Sequence, residues 1–182
     1  MEQNCGKALK IWILRALLTA LCLCMLAFIF GNSLQTGEQS SGLSRKVTDA
    51  VQKLCGLFAP ESWIATAAGE AYDKLHWIVR TAAHFSEFAL LGALFCWCYR
   101  AYTRDKTFLF LPVGLLVLVP IVDEFLQRSS AGRVADIADM LVDTAGGLCG
   151  FSFALLTLLI GFICKRKKEK KYATGKYGDS AR

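Results

Sequence analysis

The sequence holds only three prolines and 15 glycines in 182 residues and has no internal repeat, which excludes low-complexity and fibrous chains. Charge is sparse: 20% of residues are Asp, Glu, Lys or Arg, against 54% hydrophobic, with mean hydropathy +0.40. A chain so poor in charge and rich in apolar residues is not disordered. It carries no Gly-x-Ser-x-Gly elbow, no His-Glu-x-x-His and no phosphate-cradling glycine loop, so no established catalytic motif assigns it a reaction. What it does have is long apolar runs. Four stretches, near residues 11–30, 81–99, 107–126 and 140–164, approach the roughly 20 residues that a helix needs to cross a bilayer. Backbone polar groups in lipid must be satisfied within the chain, so an all-α membrane protein of four transmembrane helices is expected.

The first run resembles a secretory signal in position, but no small-x-small cleavage site follows it, so it is expected to stay as an anchor. The N-terminal segment together with Arg15 near the start of span one, the segment between spans two and three, and the one after span four hold fourteen Lys and Arg; the other two connecting segments hold seven. The positive-inside rule then puts both termini in the cytoplasm of a multi-pass cell-membrane protein. On that basis residues 1–10 form a cytoplasmic N-terminus, 11–164 the membrane domain, and 165–182 a basic cytoplasmic tail. Directly behind a span, KRKKEKK at 165–171 reads as a stop-transfer anchor rather than a nucleic-acid site or a clamp for anionic lipid.

Of the eight cysteines only Cys55 falls clearly outside, so no intramolecular disulfide framework is available, and the Cys-x-Cys pairs in the spans read as small packing residues. The external segment between spans one and two carries Val47, Val51, Leu54 and Phe58 at i, i+4, i+7 and i+11, the stripe of an amphipathic helix. It can lie on the outer membrane surface or pack against the other helices.

Polar residues at the span ends are the most informative feature. A charge at mid-bilayer costs about 2.5–3.5 kcal/mol, and less near the ends. Arg80, His84 and Glu87 recur at i, i+4 and i+7, on one helix face. Span three ends in Asp123, Glu124, Gln127 and Arg128; span four is entered through Arg133, Asp136, Asp139 and Asp143. With the orientation above, all of them sit at the outer end, with Glu87 and Asp143 about 5–10 Å below the starts of their spans at 1.5 Å per residue. One polar pocket fed by three helices is the economical reading; a hydrogen-bonded network that only fixes helix packing is its rival. Six carboxylates against three arginines invite protonation, a cation or a positively charged group, yet no compact metal-ligand spacing is present and no metal or cofactor is called for. Asp123 and Glu124 diverge by about 100° on a helix and make no ready acid/base pair. Gly146 and Gly150 form a Gly-x-x-x-Gly contact.

At these residues the chain resembles the VanZ family of small bacterial membrane proteins. The match runs through Asp123-Glu124, Gln127, Arg133, Asp139, Asp143, Gly146 and Gly150; through RTAAHFSEFALLG from Arg80 to Gly92; and through FGNSLQTGEQSSGLS from Phe30 to Ser44. Leu126 stands where the family often has His, Ala131-Gly132 where it often has Pro-Gly, and Thr81 where it often has Lys. The family takes its name from a protein associated with resistance to teicoplanin, a lipid-tailed glycopeptide. The resemblance therefore implies action near membrane lipid, lipid-linked envelope molecules or a lipoglycopeptide. The leading expectation is a pocket that binds such a molecule and modifies glycopeptide susceptibility. An intramembrane enzyme, with Arg80 and Arg133 on a phosphate and His84 or an aspartate as base, is the first alternative. A proton-coupled transporter is the second, disfavoured because the polar groups stop at one end; an oligomer stays open.

Overall fold

The computed structural model of the chain describes the backbone at residues 2–103, 105, 109–133 and 136–178, and the side chains at 6–103, 105, 109–133 and 136–167. Outside the described side chains fall residues 1–5 of the expected cytoplasmic N-terminus, Arg104 and Lys106, the first two residues of the third apolar run, and the tail from residue 168. The described chain is all-helical: α1 (Glu2–Ser33), α2 (Gly37–Phe58), a single turn α3 (Trp63–Thr66), α4 (Glu70–Tyr102), α5 (Phe110–Arg128) and α6 (Ile137–Gly178). Four of these, α1, α4, α5 and α6, are long and apolar enough to cross a membrane. Their outward faces carry large apolar side chains in quantity, among them Leu17, Leu23, Phe125, Phe153 and Ile160. A water-facing domain rarely exposes so much contiguous apolar surface, whereas lipid accepts it.

Each boundary has a local cause. Thr36 caps α2 by accepting from the Gln39 N–H while the Gln39 side chain accepts from the Thr36 N–H, a reciprocal capping box. Ser62 caps α3 in the same sense. Gly69 precedes α4 with φ of 58°, a left-handed conformation that glycine adopts without penalty. α4 thus starts eleven residues before the apolar run that begins at residue 81.

The centre of the fold is α4 packed along α6. The two run parallel in a register that sets Phe85 beside Gly146, Ala89 beside Gly150 and Gly92 beside Gly147. A Cβ at Gly92, Gly146 or Gly150 would strike the facing carbonyl, so only glycine allows the backbones this close. Phe88, Leu91, Leu116 and Ala154 are fully buried around that seam, with Ile29 of α1 and Phe151 of α6 nearly so. At the far end from the polar residues, Arg15 ties α1 to α4: its Nε donates to the Ala101 carbonyl at 3.0 Å and its guanidinium lies over the Tyr102 ring.

Candidate polar cleft at one end of the helices

The register that meshes the glycines also lines up charge. Arg80 and His84, one turn apart on α4, face Asp139 and Asp143, one turn apart on α6. Arg80 Nη2 stands 3.7 Å from Asp139 Oδ2 with both side chains about one-third exposed, at 35% and 31%. So open a pair is worth about 0–1 kcal/mol and exchanges partners readily. One turn deeper the situation reverses. His84 Nδ1 lies 3.8 Å from Asp143 Oδ1, and both atoms are buried and hydrogen-bonded to nothing among the described residues. A proton on Nδ1 would leave Nε2 as the acceptor of the ring.

Asp123 and Glu124 part company as their spacing requires. Asp123 is 1% exposed, and both its oxygens are taken: Ser33 Oγ donates to one, and Gln127 Nε2 to the other at 2.7 Å. It thereby ties the end of α1 to α5. Glu124 turns toward the next connection, where its Oε1 accepts from the Asp136 N–H at 2.6 Å. Asp136 in turn accepts from the Ala138 N–H and opens α6. Arg133, half-buried in the turn between α5 and α6, donates to the Asn32 carbonyl of α1 at 3.3 Å. Burial, and then the neighbouring Arg80 charge, lower its pKa. Glu87 lines the cleft and has no hydrogen-bond or ion-pair partner among the described residues.

The cleft itself has two connected parts. One, of about 260 Å³, opens between α1, α2 and α4 and is largely apolar, walled by Phe28, Ile29, Leu43, Val47, Val79 and Ala83. The other, of about 450 Å³, is polar, with Trp77, Thr81, Gln127, Asp136 and Asp139 on its walls. Ser40, Arg80, His84 and Arg133 line both and so stand where the two parts join. Nine polar residues anticipated from sequence thus gather at one end of the helices. Arg80, His84, Glu87, Asp123, Gln127, Arg133 and Asp139 reach a cavity wall, while Glu124 and Asp143 support from behind. Among the described residues no group of three or more His, Cys, Asp or Glu side chains is disposed to hold a metal ion.

Two contributors were not singled out from the span ends. Asn32 and Ser33 close α1 and supply the Arg133 and Asp123 partners. The start of α2 roofs the polar part, with the Gly37 N–H bonded to the Ala131 carbonyl at 3.0 Å. Both lie in FGNSLQTGEQSSGLS, the motif nearest to a signal for them. α2 also turns its polar face inward. Thr48 is buried, Ser44 Oγ lies 2.7 Å from His76 Nε2, and Gln52 Nε2 donates to the Ala67 carbonyl at 2.8 Å. Of the apolar stripe, Val47, Leu54 and Phe58 stay exposed, Val47 on the wall of the slot.

A family model described as VanZ/LLP1 matches residues 18–160, which takes in the second half of α1, the whole cleft and the α4–α6 seam. No curated protein and no solved structure matches the chain. On the extent of that match, the chain belongs to the VanZ/LLP1 family.

Proposed function

We propose, with membership of the VanZ/LLP1 family as the premise, that the cleft binds an amphipathic envelope molecule, lipid-linked or lipid-tailed, and that binding modifies susceptibility to glycopeptides such as teicoplanin. The single observation that carries this reading is the junction: an apolar slot and a polar chamber share the walls formed by Arg80, His84, Arg133 and Ser40. An amphiphile needs that combination, a dry path for a chain continuous with fixed polar groups for a head. The positive-inside balance supports placing the cleft at the outer leaflet, where envelope precursors and glycopeptides meet the membrane. The test is teicoplanin and vancomycin susceptibility in a null strain, the same strain expressing the chain, and one expressing the His84→Ala, Asp139→Asn variant at equal membrane abundance. Protection against teicoplanin by the wild type and its loss in the variant is the expected result. Equal susceptibility in all three strains removes the glycopeptide role.

The facing of His84 and Asp143 supports a second reading, an enzyme that moves a proton at a bound lipid head group. An acidic partner at Nδ1 and a free Nε2 are what a general base requires. Incubation of the purified protein with labelled lipid intermediates, followed by product analysis, separates this reading from binding alone.

A further inference from the structure

The cleft contains acidic and basic groups, and their hydrogen bonds decide which of them are free to act on a ligand. Asp123 has both oxygens occupied by Ser33 and Gln127. Glu124 holds the Asp136 N–H, Asp136 holds the Ala138 N–H, and Asp143 faces His84 outside the cavity walls. Of the carboxylates on the cavity walls, Asp123 and Asp136 are therefore engaged by the chain, while Glu87 has no partner among the described residues and Asp139 has only Arg80. The guanidiniums are the groups with donors to spare. Arg133 makes one bond, to a backbone carbonyl, and no carboxylate lies within ion-pair reach of it among the described residues. Arg80 has only the long, open contact with Asp139. A guanidinium offers five N–H donors in a planar fork, so each of these has most of its donors to spare. Arg80 and Arg133 come from separate elements and border the same cavity, and the two like charges there are relieved by an anion between them.

We infer that the head group the cleft takes is a phosphate, held jointly by Arg80 and Arg133 at the junction, with the attached acyl or prenyl chain running into the slot between α1, α2 and α4. The inference rests on the amphiphile reading above and narrows it to phospholipids or lipid-linked phosphates. Arginine forks match phosphate oxygens bidentately, and bonds of this charge-assisted kind are about twice as strong as neutral ones. The apolar walls at Ile29, Leu43, Val47 and Ala83 supply what free phosphate does not use.

The experiment measures retention of radiolabelled dioleoyl phosphatidic acid and of dioleoylglycerol by the full chain in alkyl maltoside micelles, where both lipids meet the same competitor. Inorganic phosphate serves as a soluble competitor. The expected result is retention of phosphatidic acid near one per chain, at least tenfold weaker retention of dioleoylglycerol, and at least tenfold weaker phosphatidic acid retention in R80Q/R133Q. The comparison of the two lipids on the wild-type chain needs no variant to fold. Equal retention of both lipids overturns the phosphate inference and leaves the amphiphile reading standing. Displacement of the lipid by inorganic phosphate at equal concentration overturns the role given to the chain. Retention of neither lipid overturns the inference and the amphiphile reading together.

Discussion

Replacing Gly150 by alanine adds one methyl group, yet it strikes the seam that aligns the whole site. The new Cβ points at the Ala89 carbonyl and stands 2.8 Å from the Ala89 Cα. Carbon atoms pack at about 3.5–4.0 Å, so α4 and α6 must separate by roughly 1 Å or one of them must bend. The obstacle is backbone, which cannot swing aside as a flexible side chain does. Overpacking of this kind costs about 1–3 kcal/mol. In a protein of this size each kcal/mol moves the unfolding midpoint by about 2–4 °C, so the expected fall is roughly 2–12 °C. Gly161 provides the control on the same helix, since a Cβ there meets nothing within 4 Å. Gly161→Ala gains helix propensity without a clash and is expected to hold or raise the midpoint. The assay is thermal unfolding of the detergent-solubilised protein, with membrane abundance as a second readout. Equal midpoints for the two alanine variants would refute the backbone-contact account of the α4–α6 seam. Because Asp143 and Gly150 ride on one helix, the same displacement draws Asp143 away from His84, so Gly150→Ala is also expected to weaken whatever binding the cleft performs.

Three further outcomes follow from single contacts. Ser33→Ala removes one of the two side-chain donors to buried Asp123 and is expected to cost about 0.6 kcal/mol, the mean for such bonds in membranes, and at most about 1.7 kcal/mol, read as a lower unfolding midpoint. Gly132 has φ of 76°, and a Cβ there would meet only the Gly37 nitrogen, at an ordinary 4.0 Å, so Gly132→Ala strains only the backbone, by about 1–2 kcal/mol; Gly132→Asn is expected to lose less in the same unfolding assay. Val47 is 46% exposed on the slot wall, and Val47→Trp is expected to cut amphiphile retention while leaving the midpoint within about 0.5 kcal/mol of wild type.

The helices long enough to span and the clustering of polar groups at one end were legible because both are linear signals. Apolar run length marks a spanning helix, and i, i+4 spacing of Arg80 and His84 or Asp139 and Asp143 marks a face. The meeting of those two faces was less direct, since it depends on the α4–α6 register, although Gly146 and Gly150 on one of the helices pointed to a close approach. The early start of α4 was hidden because Leu75, Ile78 and Val79 alternate with polar residues from Glu70 on, and a hydropathy run cannot begin there. The stripe Val47, Val51, Leu54 and Phe58 marked a helix, but periodicity does not say what covers a face; in the fold polar residues of α2 bond its neighbours, Val47 lines the slot, and Leu54 and Phe58 stay exposed. Counting six carboxylates against three arginines left protonation, a cation or a positively charged group as open ways to balance the site. Acceptors already occupied by Ser33, Gln127 and the Asp136 and Ala138 N–H groups cannot be seen in a sequence, because each depends on a tertiary partner or a turn.

The central claim is that an amphiphile enters the cleft with its chain in the slot, and photo-crosslinking tests it most directly. Phosphatidic acid carrying a diazirine in one acyl chain is bound to the full chain in alkyl maltoside, irradiated, and the adducts are mapped by peptide mass spectrometry. The account predicts adducts concentrated on Leu43, Val47, Val79 and Ala83, and their loss in Val47→Trp. Adducts confined to the outward faces, at Leu17, Phe153 or Ile160, with the slot unlabelled, would contradict it.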